Sequence, residues 1–319
     1  MGTEVQGMKL RILFAGTPEM AVPSLVGIAE QYPIVGVLTA KDQEVGRGRK
    51  LVPSPVKQRA TELGLVVLTP ERLDGAVREQ VRSLSPDILV VVAYGKIFGP
   101  KFLALFPRGG INLHPSLLPK YRGPSPIPEA ILRGDPETGI TIQKITLHMD
   151  AGPILLQEVI PLNGTETTLS LTRYCAERGA ELLVQVLKKI ETGTVQEIPQ
   201  DESRATYCKL ITKEDGEIHW SLPAAQIERM VRAYDPWPTA WTWYRGAILK
   251  ILESSVFDPS SQEEKAGKVI GVDKEKGILV QTGKGILAIG RLQLQSRKAL
   301  DFVSFLNGER NFIGAILGA

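Results

Sequence analysis

At 319 residues, with 43% hydrophobic and 23% charged residues, the chain has an ordinary globular composition and enough length for two domains. A net charge of +3 is too small to require a nucleic-acid partner, and the two cysteines, Cys175 and Cys208, lack metal-ligand spacing. No apolar run reaches the roughly eighteen residues of a membrane span, and residues 1–7 lack the basic start and apolar core of a signal peptide, so a cytoplasmic protein with reduced thiols is expected.

The first half alternates apolar runs with amphipathic stretches. Residues 11–15, 34–39, 65–68 and 87–93 read as buried strands, and residues 56–63 and 73–84 carry helical spacing. Strands rich in Val and Ile, separated by helices, predict a parallel sheet with right-handed crossovers. Phe14-Ala15-Gly16-Thr17-Pro18 sets a glycine after the first strand, as a nucleotide-binding turn does. The triple-glycine fingerprint is missing, which argues against a dinucleotide site. The loop from Lys41 to Lys50 ends in Arg47, Arg49 and Lys50, with Gly46 and Gly48 interleaved. A basic loop is ordinarily a solvated surface, but adaptable backbone beside Arg and Lys also suits phosphates and splayed bases.

Gly109-Gly110-Ile111 leads as a short strand into Asn112-Leu113-His114-Pro115-Ser116-Leu117-Leu118-Pro119. Residues two apart in a strand share a face, so Asn112 and His114 project together, and Pro115 ends the pairing. An amide and an imidazole at a strand's carboxyl end, where open α/β sheets place their chemistry, suit a reaction that builds negative charge on a carbonyl oxygen. Asp150 closes a second strand-like run, residues 139–147, just before Ala151-Gly152-Pro153. Two strand ends, each with a polar group before a break, fit one crevice. A carboxylate there favours the charged imidazole and fixes its tautomer. Two other readings use the same residues. Ser116, His114 and Asp150 form the parts of a hydrolase triad, without the Gly-x-Ser-x-Gly elbow. His114, His148 and Asp150 form the parts of a metal site, although spacing alone does not make them three ligands. Read alone, Ser116-Leu117-Leu118-Pro119 is a rigid loop with core leucines.

Residues 168–190 carry the longest helical pattern. The polar stretch 195–208 reads as a linker across the first domain's surface. Beyond Asp215 the texture changes: Glu217-Ile218-His219-Trp220-Ser221, with His219 read as structural, precedes a helix at 224–233 and then Tyr234-Asp235-Pro236-Trp237-Pro238. Short strands at 247–252, 267–272, 277–281 and 285–289 suggest a small β-barrel. The expected division is a catalytic α/β domain at 1–194, a linker at 195–208 and an OB-like barrel at 209–319.

Taken together, these motifs resemble the methionyl-tRNA formyltransferase family, over essentially the whole chain except its first few residues. The resemblance rests on Phe14-Ala15-Gly16-Thr17-Pro18, Gly46-Arg47-Gly48-Arg49-Lys50-Leu51, Val92-Ala93-Tyr94-Gly95 and Asn112 through Pro119. Tyr121-Arg122-Gly123, Asp150-Ala151-Gly152 and Asp235-Pro236-Trp237-Pro238 add to it. The Asn/His/Asp set is shared with other folate-dependent formyltransferases, and the basic loop and tryptophan-bearing second domain narrow it to the tRNA enzyme. Pro124-Ser125 stands where the family usually has two alanines, and Pro128-Glu129 replaces larger or amide residues. Both departures bear on substrate contact and leave the chemistry alone.

The resemblance implies a Rossmann-like parallel-sheet formyltransferase domain followed by an OB-like, tRNA-binding barrel. It implies transfer of the formyl group of 10-formyltetrahydrofolate, a co-substrate, to the α-amino group of initiator methionyl-tRNA for translation initiation. No metal, covalent intermediate, membrane or protein partner is implied. Asn112 and His114 would stabilise the oxyanion; Asp150 would hold His114 charged and relay the amine's proton, directly or through water. Ser116, Leu117, Leu118 and Pro119 would border the folate, with Tyr94 and Gly95 on the opposite wall. Arg47, Arg49 and Lys50 would contact the tRNA acceptor end, Arg47 most importantly, and Lys284, Arg291, Arg297 and Lys298 could follow its backbone. The rivals are a formyltransferase for a nucleotide-sugar or purine-precursor amine, a formyltetrahydrofolate hydrolase and a non-catalytic RNA-binding protein. The second domain speaks against the two amine rivals.

Overall fold

The computed structural model describes residues 9–45 and 50–318. In chain order the first elements are β1 (Ile12–Gly16), α1 (Val22–Ala29), β2 (Ile34–Leu38), β3 (Gln43–Val45), β4 (Lys50–Val52), α2 (Pro55–Glu62), β5 (Val67–Leu68), α3 (Gly75–Ser83) and β6 (Ile88–Val92). There follow α4 (Pro100–Leu103), β7 (Gly110–His114), α5 (Pro126–Arg133), β8 (Glu137–Lys144), β9 (Ile154–Pro161) and α6 (Thr168–Glu191). One seven-stranded sheet takes the order β5-β2-β1-β6-β7-β8-β9. Its first five strands are parallel, as the apolar runs predict. β1 and β6 are buried at every position, which is why they read as unbroken apolar runs without alternation.

Local chemistry sets the boundaries of these elements. Ser54 caps α2 by accepting from the Lys57 N–H at 3.0 Å, with Pro55 at the first helical position. Asp74 caps α3 through the Val77 N–H at 3.1 Å. Gly16, which resembled a nucleotide-binding turn, has a packing role: an added Cβ would lie 2.7 Å from the Ala21 Cβ and 2.9 Å from the Val92 carbonyl oxygen. Tyr94, Phe98, Phe102 and Phe106 pack in succession with ring centroids 5.3–5.6 Å apart, the first pair stacked and the next two tilted, joining Leu13, Leu38 and Val81 in the core.

Two expectations change. The sheet is mixed: β8 runs antiparallel to β7, pairing Ile111 with Lys144, Asn112 with Gln143 and His114 with Thr141. β8 also ends at Lys144, six residues before Asp150, so Asp150 lies in a turn and not at a strand end. The second change concerns domains. Two compact units divide the chain, Met1–Gly123 with Thr138–Ile160 and Thr172–Tyr207, and Pro124–Glu137 with Pro161–Leu171 and Cys208–Ala319. They are not contiguous in sequence, and residues 195–207, read as a linker across the first domain's surface, belong to the first unit. Ile198 pairs with Ile154 through two backbone hydrogen bonds of 2.8 and 2.9 Å, which ties that stretch down.

In the second unit, α7 (Ala224–Ala233) precedes β10 (Ala240–Tyr244), β11 (Ala247–Asp258), β12 (Val269–Asp273), β13 (Gly277–Gln281), β14 (Ile286–Leu294), β15 (Leu300–Asp301) and α8 (Phe302–Gly308). The strands pair antiparallel in the order β10-β11-β14-β13-β12, with β15 on β14. Five antiparallel strands on one path match the make-up of a partly open barrel. Ile227 and Val231 of α7 pack with Trp220, Leu249, Leu287, Phe305 and Phe312. Trp220 donates its indole N–H to the Thr242 hydroxyl at 2.9 Å. His219, read as structural, is exposed; its neighbours Ile218 and Trp220 are the buried ones. α5 escaped the sequence reading because Pro126 and Pro128 occupy its first turn, where proline is tolerated, and it ends on Gly134 at φ +67°.

Cys175 lies on α6 with no exposed surface, and burial pushes its thiol up to about 12. At pH 8, well below that value, the thiol is protonated and inert. Iodoacetamide at pH 8 should therefore leave Cys175 unmodified in the folded protein and alkylate it in urea, as read by peptide mass spectrometry. Rapid labelling of the native chain would contradict this packing.

Candidate active site

β7 carries Asn112 and His114 on one face, as alternation requires. Directly opposite residues of paired strands also share a face, so Gln143 and Thr141 of β8 join them. The antiparallel direction of β8 puts its carboxyl end beside the start of β7, away from His114. The chain then doubles back through residues 145–149 and delivers Asp150, at φ +51°, to the imidazole. His114 Nδ1 and Asp150 Oδ2 are 3.6 Å apart, with the two side chains 5% and 15% exposed.

The remaining partners define the state of each group. His114 Nε2 lies 2.9 Å from the Tyr121 carbonyl oxygen, which can only accept, so Nε2 carries a hydrogen. Nδ1 is then the nitrogen free to gain or lose a proton, and it faces Asp150. The Asp150 carboxylate accepts from the Gly123 N–H at 2.9 Å and from the Gln143 side-chain amide at 2.8 Å, one bond to each oxygen. The Asn112 carboxamide is partly exposed and, among the described residues, has no hydrogen-bond partner. It is a donor available to a ligand.

The turn after β7 is rigid for reasons the residues supply. Ser116 is fully buried and donates to the Lys120 carbonyl oxygen at 2.6 Å. Its hydroxyl is a turn fastener, so the hydrolase-triad reading loses its nucleophile. Thr141 donates to the Ser116 carbonyl at 2.7 Å and accepts from the Leu118 N–H at 3.2 Å. The Gln157 amide bonds both Thr141 and the Leu118 carbonyl. Leu118 is buried, while Leu117 and Pro119 are partly exposed. Of Val92-Ala93-Tyr94-Gly95, Ala93 and Gly95 are exposed. The Tyr94 ring is only 8% exposed and packs in the core; burial pushes its phenol up to about 12. At this wall the accessible surface is the backbone around Tyr94, not its side chain. Lys50 opens β4 and is exposed, whereas Arg47 and Arg49 lie outside the described residues.

Several groups near Asp150 escaped the sequence reading. Gln143 was visible in principle, as a polar residue alternating with Ile140 and Ile142 in a strand that proves buried on both faces. Gln200, Glu202 and Tyr207 gave no signal, because their partners lie about eighty positions away in the chain at Arg122.

Gly152 shows how tightly the returning turn is packed. A Cβ there would lie 1.8 Å from the Lys144 carbonyl oxygen, so backbone must move to admit it. Gly75, by contrast, would meet only the Arg78 guanidinium, at 3.6 Å. Gly152→Ala should lower stability by about 1–3 kcal/mol and Gly75→Ala by less than about 0.5 kcal/mol, measured by urea unfolding. Equal midpoints for the two variants would show that the turn yields freely.

Residues 8–187 match the formyl transferase model and residues 210–310 the model of the formyl transferase C-terminal domain. The methionyl-tRNA formyltransferase of Treponema denticola is 46% identical over 316 residues, covering 95% of this chain and 98% of its relative. That of Roseiflexus castenholzii is 46% identical over 314 residues, covering 98% and 100%. Among solved structures, the sugar 3N-formyl transferase WlaRD overlays with a TM-score of 0.63 at 19% identity, over 92% of this chain and 100% of that one. A variant of HypX from Aquifex aeolicus overlays with a TM-score of 0.66 at 17% identity, over 96% of this chain and 50% of that one, so the chain spans about half of HypX. These two likenesses concern the fold. The near full-length identity to curated relatives decides the family: the chain belongs to the methionyl-tRNA formyltransferases.

Proposed function

We propose that the chain transfers the formyl group of 10-formyltetrahydrofolate to the α-amino group of initiator methionyl-tRNA, through Asn112, His114 and Asp150. The observation that carries this mechanism is the unpartnered Asn112 carboxamide on the face that holds His114, with the His114 Nδ1 turned to Asp150 at 3.6 Å. The folate supplies the activated formyl group. Attack of an amine on that carbon builds negative charge on the formyl oxygen and positive charge on the attacking nitrogen. The Asn112 amide N–H and the Nδ1–H of the charged His114 imidazole, which at 3.6 Å is not hydrogen-bonded to Asp150, are the donors for the oxygen, while Nε2–H stays on the Tyr121 carbonyl. Asp150, close to Nδ1, stabilises the imidazolium and accepts the amine's proton, directly or through one water; the C–N bond to the folate then breaks and the proton passes to the departing folate nitrogen, releasing tetrahydrofolate and the formylated amine. The two existing hydrogen bonds of Asp150 use one lone pair on each oxygen and leave room for that proton.

The rigid turn of Ser116, Leu117, Leu118 and Pro119, with the backbone at Tyr94 and Gly95, is the folate-binding surface in this reading. Leu117 and Pro119 offer apolar contact, and the fastened backbone offers hydrogen bonds whose direction does not fluctuate. Arg47, Arg49 and Lys50 contact the tRNA acceptor end. Their role follows from the chemistry of phosphate binding and from the family, since only Lys50 is among the described residues.

Removing one oxyanion donor typically costs about a hundredfold or more in kcat. Asn112→Ala should therefore lose formyl transfer by about that factor with little change in KM for tRNA, and near-normal turnover of the folded variant would refute the oxyanion role. Asp150→Asn should lower kcat and alter its pH dependence, and an unaltered profile would make Asp150 structural.

Arg47→Ala separates substrate holding from chemistry. It should raise the apparent KM for tRNA, leave folate affinity unchanged and narrow its gap to wild type as salt is raised, as a phosphate contact does. Steady-state kinetics at two salt concentrations read this out. Identical kinetics for variant and wild type would leave the loop as plain solvated surface.

A further inference from the structure

Asp150 occupies the left-handed backbone region, at φ +51°, in a turn flanked by the exposed Leu147 and Met149. Such a conformation persists only when its surroundings hold it. The hold comes from the first unit's last stretch. The Gln200 side-chain NH2 donates to the Asp150 carbonyl at 2.8 Å and to the Gly152 carbonyl at 2.7 Å, spanning the turn on both sides of Ala151. The Gln200 side-chain oxygen accepts from Arg122 Nε at 3.1 Å and Nη2 at 2.8 Å. A guanidinium only donates and a carbonyl only accepts, so the Gln200 amide has one permitted orientation. The same logic continues inward. The two hydrogens of the Gln200 NH2 serve the Asp150 and Gly152 carbonyls, so its 3.3 Å approach to the Gln143 side-chain oxygen shares one of them, while the Gln143 NH2 faces Asp150 Oδ1 at 2.8 Å.

Arg122 is the fixed end of this chain. It is 1% exposed, and its two terminal nitrogens meet both oxygens of Glu202 at 2.9 and 2.7 Å. The Tyr207 ring lies 5.9 Å from its guanidinium carbon. That pairing holds the Glu202 carboxyl below its ordinary range. We infer that Gln200 is a positioning residue for formyl transfer: oriented by Arg122, it clamps the Asp150 turn and sets the carboxylate against His114. The inference rests on the role proposed for Asp150, and it adds a residue that touches neither substrate.

Gln200→Glu is the decisive variant. It keeps the length of the side chain and an acceptor for Arg122, but its carboxylate faces the Asp150 and Gly152 carbonyl oxygens without a hydrogen to give. A residue needed only to satisfy Arg122 is rescued by Glu; a clamp is not. For Gln200→Glu and Gln200→Ala, amide hydrogen exchange across residues 145–153 should rise at least about tenfold, and kcat should fall by about ten- to a hundredfold, the scale of a misplacement near 1 Å. KM for tRNA and for folate should stay within about twofold, so that the loss falls on kcat alone. Unchanged exchange, wild-type kcat in Gln200→Glu, or a loss confined to KM would overturn the inference. Asp150→Asn run alongside tells the two failures apart: wild-type turnover there refutes the role of Asp150, and the clamp is then judged by exchange alone.

Discussion

The antiparallel register of β7 and β8 is the constraint on which the site depends. It sets Asn112 opposite Gln143 and His114 opposite Thr141, so that one sheet face gathers four polar side chains. Each then acts differently because each meets different partners. Thr141 fastens the turn after β7, Gln143 binds the Asp150 carboxylate, and Asn112 has no side-chain partner among the described residues. A slip of one residue would send all of β8's polar groups to the other face, and Asp150 would lose its anchor. The geometry of the candidate site is a consequence of strand pairing, with loops carrying the chain back to it.

A polar face buried in a sheet is expensive unless every group finds a partner. In this unit the partners form a continuous set from Glu202 through Arg122, Gln200 and Gln143 to Asp150. Amides in the middle of the set transmit orientation because each has a carbonyl end and an NH2 end that cannot be exchanged. The charged ends are an exposed carboxylate and a partly buried one. Such an arrangement favours a single placement of Asp150 over a range of them, which suits the role proposed for it toward an imidazole and an incoming amine.

The parallel half of the sheet was legible because buried central strands are runs of Val, Ile and Leu, and β1, β2 and β6 appear where those runs stand. Asn112 and His114 were legible through strand alternation and the proline that follows. Asp150 was picked out for a mistaken geometric reason, since β8 ends at Lys144 and runs the opposite way to β7. Strand direction is not written in periodicity: an apolar strand reads alike in both senses. α5 was hidden by its two prolines, and Gln200 by sequence distance from Arg122. Long-range pairing is the information that local pattern lacks.

Fold alone does not select a substrate, since proteins named for other formyl acceptors share this architecture at under 25% identity. The acceptor is therefore the central claim to test. The measurement is formyl transfer by the purified chain from 10-formyltetrahydrofolate to methionyl-tRNA, with a nucleotide-linked amino sugar, glycinamide ribonucleotide and water as competing acceptors. The account predicts N-formylmethionine on the tRNA, with no formylation of the small amines and no release of tetrahydrofolate when tRNA is withheld. Formylation of a small amine at comparable efficiency, or folate turnover without any amine, would contradict it.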